Sequence, residues 1–370
     1  MQVENYVIKQ ARLINEQRVD ILVENGIIQD IAEHIESSYE TVNFYDDYVS
    51  AGWIDIHTHC FDKFEIYGDQ PDLIGYPHGV CTVVDAGTAG SDTIDEFYQQ
   101  ALSAKTRVYS LLNISSPGIY AQDELADLNR LNKEAILKSC QKYPDFIVGL
   151  KARMSKSVLG DSGNQPLVFA KEMQKLVNLP IMVHIGTAPS VLEDVVDMLD
   201  KDDIITHIFN PKDNGIVKNR DLKACVFKAK EKGILLDVGH GTDSFSFEVA
   251  KIAFDKNVHV DIISSDIYFR NRLNGPVYNL VTTMNKLLYI GYMLEEVINA
   301  VTKNAAKALH FNNLGEIAIG KIADFTVFKM CSKDIKLMDS THLEVKSHYY
   351  IQPTHTIVKN QLYQLEEEKS

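Results

Sequence analysis

The sequence predicts an α/β protein: a (β/α)₈ TIM barrel carrying a small β-sandwich built from both termini. Between residues 51 and 314, short β-rich runs alternate with amphipathic helical stretches, the pattern of parallel βαβ units. Eight such runs fit a barrel of about 250 residues. No glycine-rich G-x-G-x-x-G follows the first run, WIDIH at 53–57, as a doubly wound dinucleotide-binding sheet would require.

The elements follow in order. Residues 1–50 (YVIKQARLI, VDILVENGIIQDIA) alternate like paired strands, with ENG as a turn signal. The barrel strands are then expected at 53–57, 82–86, 108–114, 146–151, 181–185, 204–208, 235–239 and 262–266. Helices are expected at 91–104, 165–177, 189–200, 220–233 and 243–256. Residues 315–370 (GEIAIGKIADFTVF, THTIVKNQLYQ) return to the texture of the first fifty. The predicted organisation is therefore a β-sandwich from 1–50 plus 315–370 around a barrel at 51–314. The tail LEEEKS reads as solvated.

With 45% hydrophobic and 24% charged residues the chain is an ordinary globular composition. A net charge of −14 argues against a nucleic-acid partner, which demands basic surface. The five cysteines are odd in number and lack C-x-x-C spacing, which suits free thiols in a reducing compartment. No apolar run reaches membrane-spanning length and the first residues lack a secretory leader's pattern, so the expectation is a cytoplasmic protein without a membrane partner.

In a (β/α)₈ barrel, functional side chains sit at the C-terminal ends of strands. Strand one ends in His57-Thr58-His59, where positions two apart share a face. Strand four ends in Lys151, strand five carries His184, strand six His207, and strand eight ends in Asp266. Each residue alone has a bland structural explanation, but six on one rim suggest a metal site. Imidazole and carboxylate donors suit zinc and also accept manganese, iron or nickel. Lysine is the odd member. A buried, uncharged lysine can react with CO₂ to form a carbamate, which bridges metals as a carboxylate would.

This set resembles the amidohydrolase superfamily in HTH at 57–59, Lys151 in VGLKARMS, His184 in VHIGTAPS, His207 in THIFNPKDNG and Asp266 in SSDIYFRNRLNGP. GVCTVVDAGTAG, LLDVGHGTDSFSF and DIYFRNRLNGPVYNLVTTMNK are similar to the deacetylase branch close to the dihydroorotases. Dihydroorotases carry an arginine two residues past the second histidine; here that residue is Phe61. The resemblance implies two divalent metals, zinc in first place. His57, His59 and Asp266 would hold one, His184 and His207 the other, with N6-carboxylated Lys151 between them. It implies hydrolysis of the acetyl ester or amide of a small, anionic α-hydroxy or amino acid by a metal-bridging hydroxide, with Asp266 carrying the proton. It further implies dimers or larger assemblies. The alternatives are a dihydroorotase-like cyclic amidase, an adenine deaminase-like enzyme, or a non-catalytic paralogue.

Candidate substrate contacts are His240 after strand seven, Arg153 two residues past Lys151, and Asn271 after strand eight. Each has a structural alternative: a loop histidine, an arginine paired with a nearby acid, and an ordinary surface polar residue. Asp85, ending strand two, is expected to support the ligands.

Overall fold

The computed structural model describes residues 2–366, so residues 367–370 of the expected solvated tail lie outside it. Its centre is a seven-stranded parallel sheet running in sequence order. The strands are Trp53–Thr58, Val80–Ala86, Arg107–Asn113, Ile147–Met154, Ile181–Ile185, Ile204–Thr206 and Leu235–Leu236. Parallel strands need long crossovers. These are supplied mainly by helices Ile94–Ser103, Lys133–Lys142, Gln165–Val177, Leu192–Met198, Ala224–Lys232 and Phe247–Asp255.

The eighth position departs from the expected strand at 262–266. Residues 262–267 cross the gap with isolated parallel bridges, Asp237 to Ile262 on one side and Thr58 to Ile267 on the other. Side chains interrupt the ladder: the Asp55 carboxylate accepts from Ser265 N (3.1 Å) and Ser265 Oγ (2.5 Å). Asp266, at φ 51°, turns out of the extended region. The barrel is closed all the same, because Asp266 N donates to His57 O and His59 N to Ile267 O.

Two further differences have local causes. Strand six stops at Thr206 because His207 is left-handed at φ 67°. The helix expected from 220 starts at Ala224, since Val217–Lys218 and Asp221–Leu222 form a small hairpin through left-handed Asn219 and Arg220.

Strand alternation sorts the interior. On strand five, Ile181, Val183 and Ile185 join the large apolar cluster shared with the helices. Met182 faces the other way, into a second cluster with Ile54, Val84, Leu111, Ile204 and Ile262. Alanine-rich helix Lys303–Ala308 closes that cluster with Ala305, Ala306 and Ala308.

The two ends of the chain meet in one eight-stranded sheet. Strands Asn5–Arg12, Arg18–Glu24, Ile27–Ala32, Glu40–Asn43 and Tyr48–Ala51 join the long hairpin Phe325–Met338 and Glu344–Val358, with Gln361–Gln364 at its edge. Tyr6, Ile8, Ile21, Val23, Phe325, Val327 and Ile357 form its core. Arg107 of barrel strand three ties this sheet to the barrel, donating to both carboxylate oxygens of Asp324 at 2.9 and 3.2 Å. No helix among the described residues is long and apolar enough to cross a membrane.

Candidate metal centre

The mouth of the barrel gathers the six strand-end residues. One ligand atom each from His57, His59 and Asp266 lie within 4.8 Å of one another. Asp266 Oδ1 is 3.0 Å from His59 Nε2 and 3.3 Å from His57 Nε2. The His207 ring centre is 4.3 Å from that of His184 and 5.0 Å from that of His57. Lys151 Nζ lies between, 3.0 Å from His57 Nε2 and 3.1 Å from Met182 Sδ.

The histidines are aimed by their other ring nitrogens. Thr206 Oγ1 donates to Asp237 Oδ2 (2.6 Å), so it receives the proton of His57 Nδ1 at 2.8 Å. That leaves the His57 Nε2 lone pair facing the centre, as a metal ligand requires. His207 Nδ1 meets the Gly239 carbonyl, which can only accept, at 2.6 Å, and its Nε2 is likewise left as a lone pair. His59 Nδ1 is 2.8 Å from Thr88 Oγ1, and Asp85 holds that corner by accepting from Thr88 N and Cys60 N. Cys60 is buried in the helix-facing cluster, away from the centre.

Burial controls the protonation states. It drives His57 and His184 well below the usual histidine range, aided by neighbouring positive charge, and lowers His207 to about 4. Burial also brings the Lys151 amine down to about 7, so a nucleophilic free amine is accessible near neutral pH. Gly87 leaves room for this side chain, since a Cβ there would sit 2.8 Å from Lys151 Cβ. Burial alone would raise Asp266, but the His59 hydrogen bond and the charges of His207, His59 and Lys151 outweigh it and hold the carboxylate ionised. Imidazoles kept neutral by burial at His57, His184 and His207, an ionised carboxylate and a deprotonatable lysine form a donor set that fits divalent cations.

The candidate substrate contacts separate. Arg153 is buried and donates to both carboxylate oxygens of Glu124 at 3.0 and 3.2 Å, with its guanidinium 5.4 Å from the Tyr67 ring centre. Tyr67 in turn packs on His59 at 5.3 Å and against Tyr268 at 5.0 Å. His240 is fully buried, with Nδ1 on Gly241 O and Nε2 on Lys286 Nζ. Asn271 spends its side chain on the backbone, accepting from Tyr268 N and donating to Asp266 O. As direct substrate contacts His240 and Asn271 are therefore disfavoured by their geometry; both brace the segments around Asp266.

Sequence reasoning did not single out Thr206, Thr88, Asp237, Glu124 or Tyr67. Asp237 carried a signal, a carboxylate inside the apolar run LLDVG. The threonines carried none, because threonine is ordinary in a strand.

A family model described as the amidohydrolase family matches residues 48–360. A deacetylase of Enterococcus faecalis is 45% identical over 96% of this chain and 98% of its own length. Among solved structures, an adenine deaminase is 45% identical with a TM-score of 0.96, covering 98% of this chain and all of that one. A dihydroorotase is 29% identical with a TM-score of 0.91, covering 98% and 99% respectively.

Proposed function

This chain belongs to the amidohydrolase family, and from that premise we propose that it is a deacetylase. It is a metal-dependent hydrolase acting on a small molecule. In the proposed reaction the bond cut is the acetyl ester or amide of an anionic α-hydroxy or amino acid. The observation that carries the reading is the inward-facing set His57, His59, Asp266, Lys151, His184 and His207 on one barrel mouth, together with a deacetylase relative matched along nearly its whole length.

His57, His59 and Asp266 would hold one ion, His184 and His207 a second, and Lys151, as its carbamate, would bridge them; zinc is the ion proposed. Two such ions, when bound, lower the pKa of water and polarise the scissile carbonyl. The protein's own groups do the rest. Asp266 takes the proton of the attacking water and delivers it to the departing alkoxide or amine. Its backbone carbonyl is fixed by Asn271 Nδ2. Arg153, held by Glu124 and lying beside Tyr67, supplies the cation for the substrate carboxylate. Phe61 stands where a dihydroorotase has its arginine, and it is fully buried in the apolar cluster, which weighs against dihydroorotate. The adenine deaminases this chain resembles are a solved structure 45% identical and a Clostridium perfringens relative 23% identical, so adenine serves as a control below.

The test is turnover by zinc-loaded protein on O-acetyl α-hydroxy acids and N-acetyl amino acids of both hands, with dihydroorotate and adenine as controls. Turnover that prefers one hand of an acetylated acid is expected. Activity confined to a control would overturn the deacetylase reading.

A further inference from the structure

Lys286 takes no part in the chemistry above, yet it is fully buried on helix Leu280–Ile290. Among the described residues no carboxylate forms an ion pair with it. Its amine contacts two neutral acceptors, His240 Nε2 at 2.7 Å and Pro276 O at 2.8 Å. Burial lowers this amine to about 7, with Asp339 opposing at longer range. A buried lysine without a counter-ion is costly, so its placement here calls for a specific role.

Its two bonds lead to the same place. His240 Nδ1 faces the Gly241 carbonyl at 2.8 Å, so Nδ1 carries the proton and Nε2 accepts from Lys286. Gly241, at φ 53°, abuts the carboxylate of Asp266: a Cβ there would lie 2.3 Å from Asp266 Oδ2. The backbone continues the contact, His240 N donating to Ser264 O and Gly241 N to Ser265 O. The second bond, to Pro276 O, holds the far end of the segment that leaves Asp266. That segment returns through Tyr278 N to Asn271 O, and Asn271 Nδ2 donates to Asp266 O. One amine thus ties down the loop that walls Asp266 and the loop that carries it.

We propose that Lys286 is a positioning residue for the hydrolytic site, holding through His240 and Pro276 the two loops that set the carboxylate of Asp266. The inference rests on the reading of Asp266 as metal ligand and proton carrier.

The experiment uses Lys286→Met and the double variant Lys286→Met/His240→Phe. Removing both partners of a buried hydrogen bond is close to neutral for stability, whereas removing one leaves an orphan. The double variant thus leaves neither end of the Lys286–His240 bond orphaned, although Pro276 O and Gly241 O each lose a donor. Two quantities are read on full-length protein: zinc affinity by chelator competition, and kcat and KM for an O-acetyl α-hydroxy acid. The expected result is a double variant that folds with a lowered Tm, because Pro276 O and Gly241 O each lose a donor, with zinc binding weakened about 10-fold and kcat lowered about 10- to 100-fold with KM within about twofold. Wild-type zinc affinity and kcat in the folded double variant would overturn the proposal, because a lowered Tm alone is what a purely structural role gives. Weakened zinc binding in a protein whose wild type hydrolyses no acetyl ester would sink the deacetylase reading and leave this inference standing.

Discussion

Thr206→Val is the perturbation that isolates how the centre is aimed. Valine keeps the shape of threonine and removes only the hydroxyl that joins His57 Nδ1 (2.8 Å) to Asp237 Oδ2 (2.6 Å). Two effects follow. His57 loses the acceptor that fixes its tautomer, and partners of this kind are worth about 10- to 100-fold in metal affinity, or about 1.4 to 2.7 kcal/mol. Asp237 keeps only its Ser264 hydrogen bond (2.7 Å), with Oδ1 already unpartnered. Burial has raised that carboxylate to about 6, and losing the Thr206 donor raises it further. The assay is chelator competition for zinc at pH 7.5, alongside the Tm of metal-free protein. Zinc should bind 10- to 100-fold more weakly, and Thr206→Ser should restore the affinity. A Thr206→Val protein with wild-type zinc affinity and unchanged metal-free Tm would refute the claim that this hydroxyl orients His57.

Three other outcomes are expected. Asp266→Asn should keep the fold while lowering kcat about 10²- to 10⁴-fold, measured at saturating zinc; near-normal kcat would remove Asp266 from proton transfer. Lys151→Ala should bind less metal, and a short carboxylic acid should restore it; full occupancy without the acid would argue against the carbamate bridge. Arg107→Met should leave Asp324 without its guanidinium partner at the junction of barrel and terminal sheet, costing about 3 kcal/mol. Urea unfolding with an unchanged midpoint would show that this pair does not secure the junction.

Much of this architecture was legible because two periodicities coincide. Strands such as IMVHI carry their helix-facing residues at Ile181, Val183 and Ile185, so the residues between them must face inward. The convergence of His57, His59, Lys151, His184, His207 and Asp266 followed from their places at strand ends. What was not legible lay in side-chain and backbone detail. The run IISSD looks like a strand, but Asp55, distant in sequence, draws Ser265 off the ladder. Helix 220–233 lost its first turn to left-handed Asn219 and Arg220, conformations that the sequence pattern does not reveal. His240 and Arg153 looked alike as rim residues, and only their partners, Lys286 and Glu124, distinguish their surroundings. Those partners come from other elements, so no local window contains them.

In the proposed centre, one barrel mouth holds two metal ions bridged through Lys151. The most direct measurement is anomalous diffraction at the zinc edge from crystals grown with zinc and bicarbonate. Two peaks are expected, one among His57, His59 and Asp266 and one beside His184 and His207, with density for a carbamate on Lys151 between them. A single ion, or two ions with an unmodified Lys151 amine, would contradict the proposal.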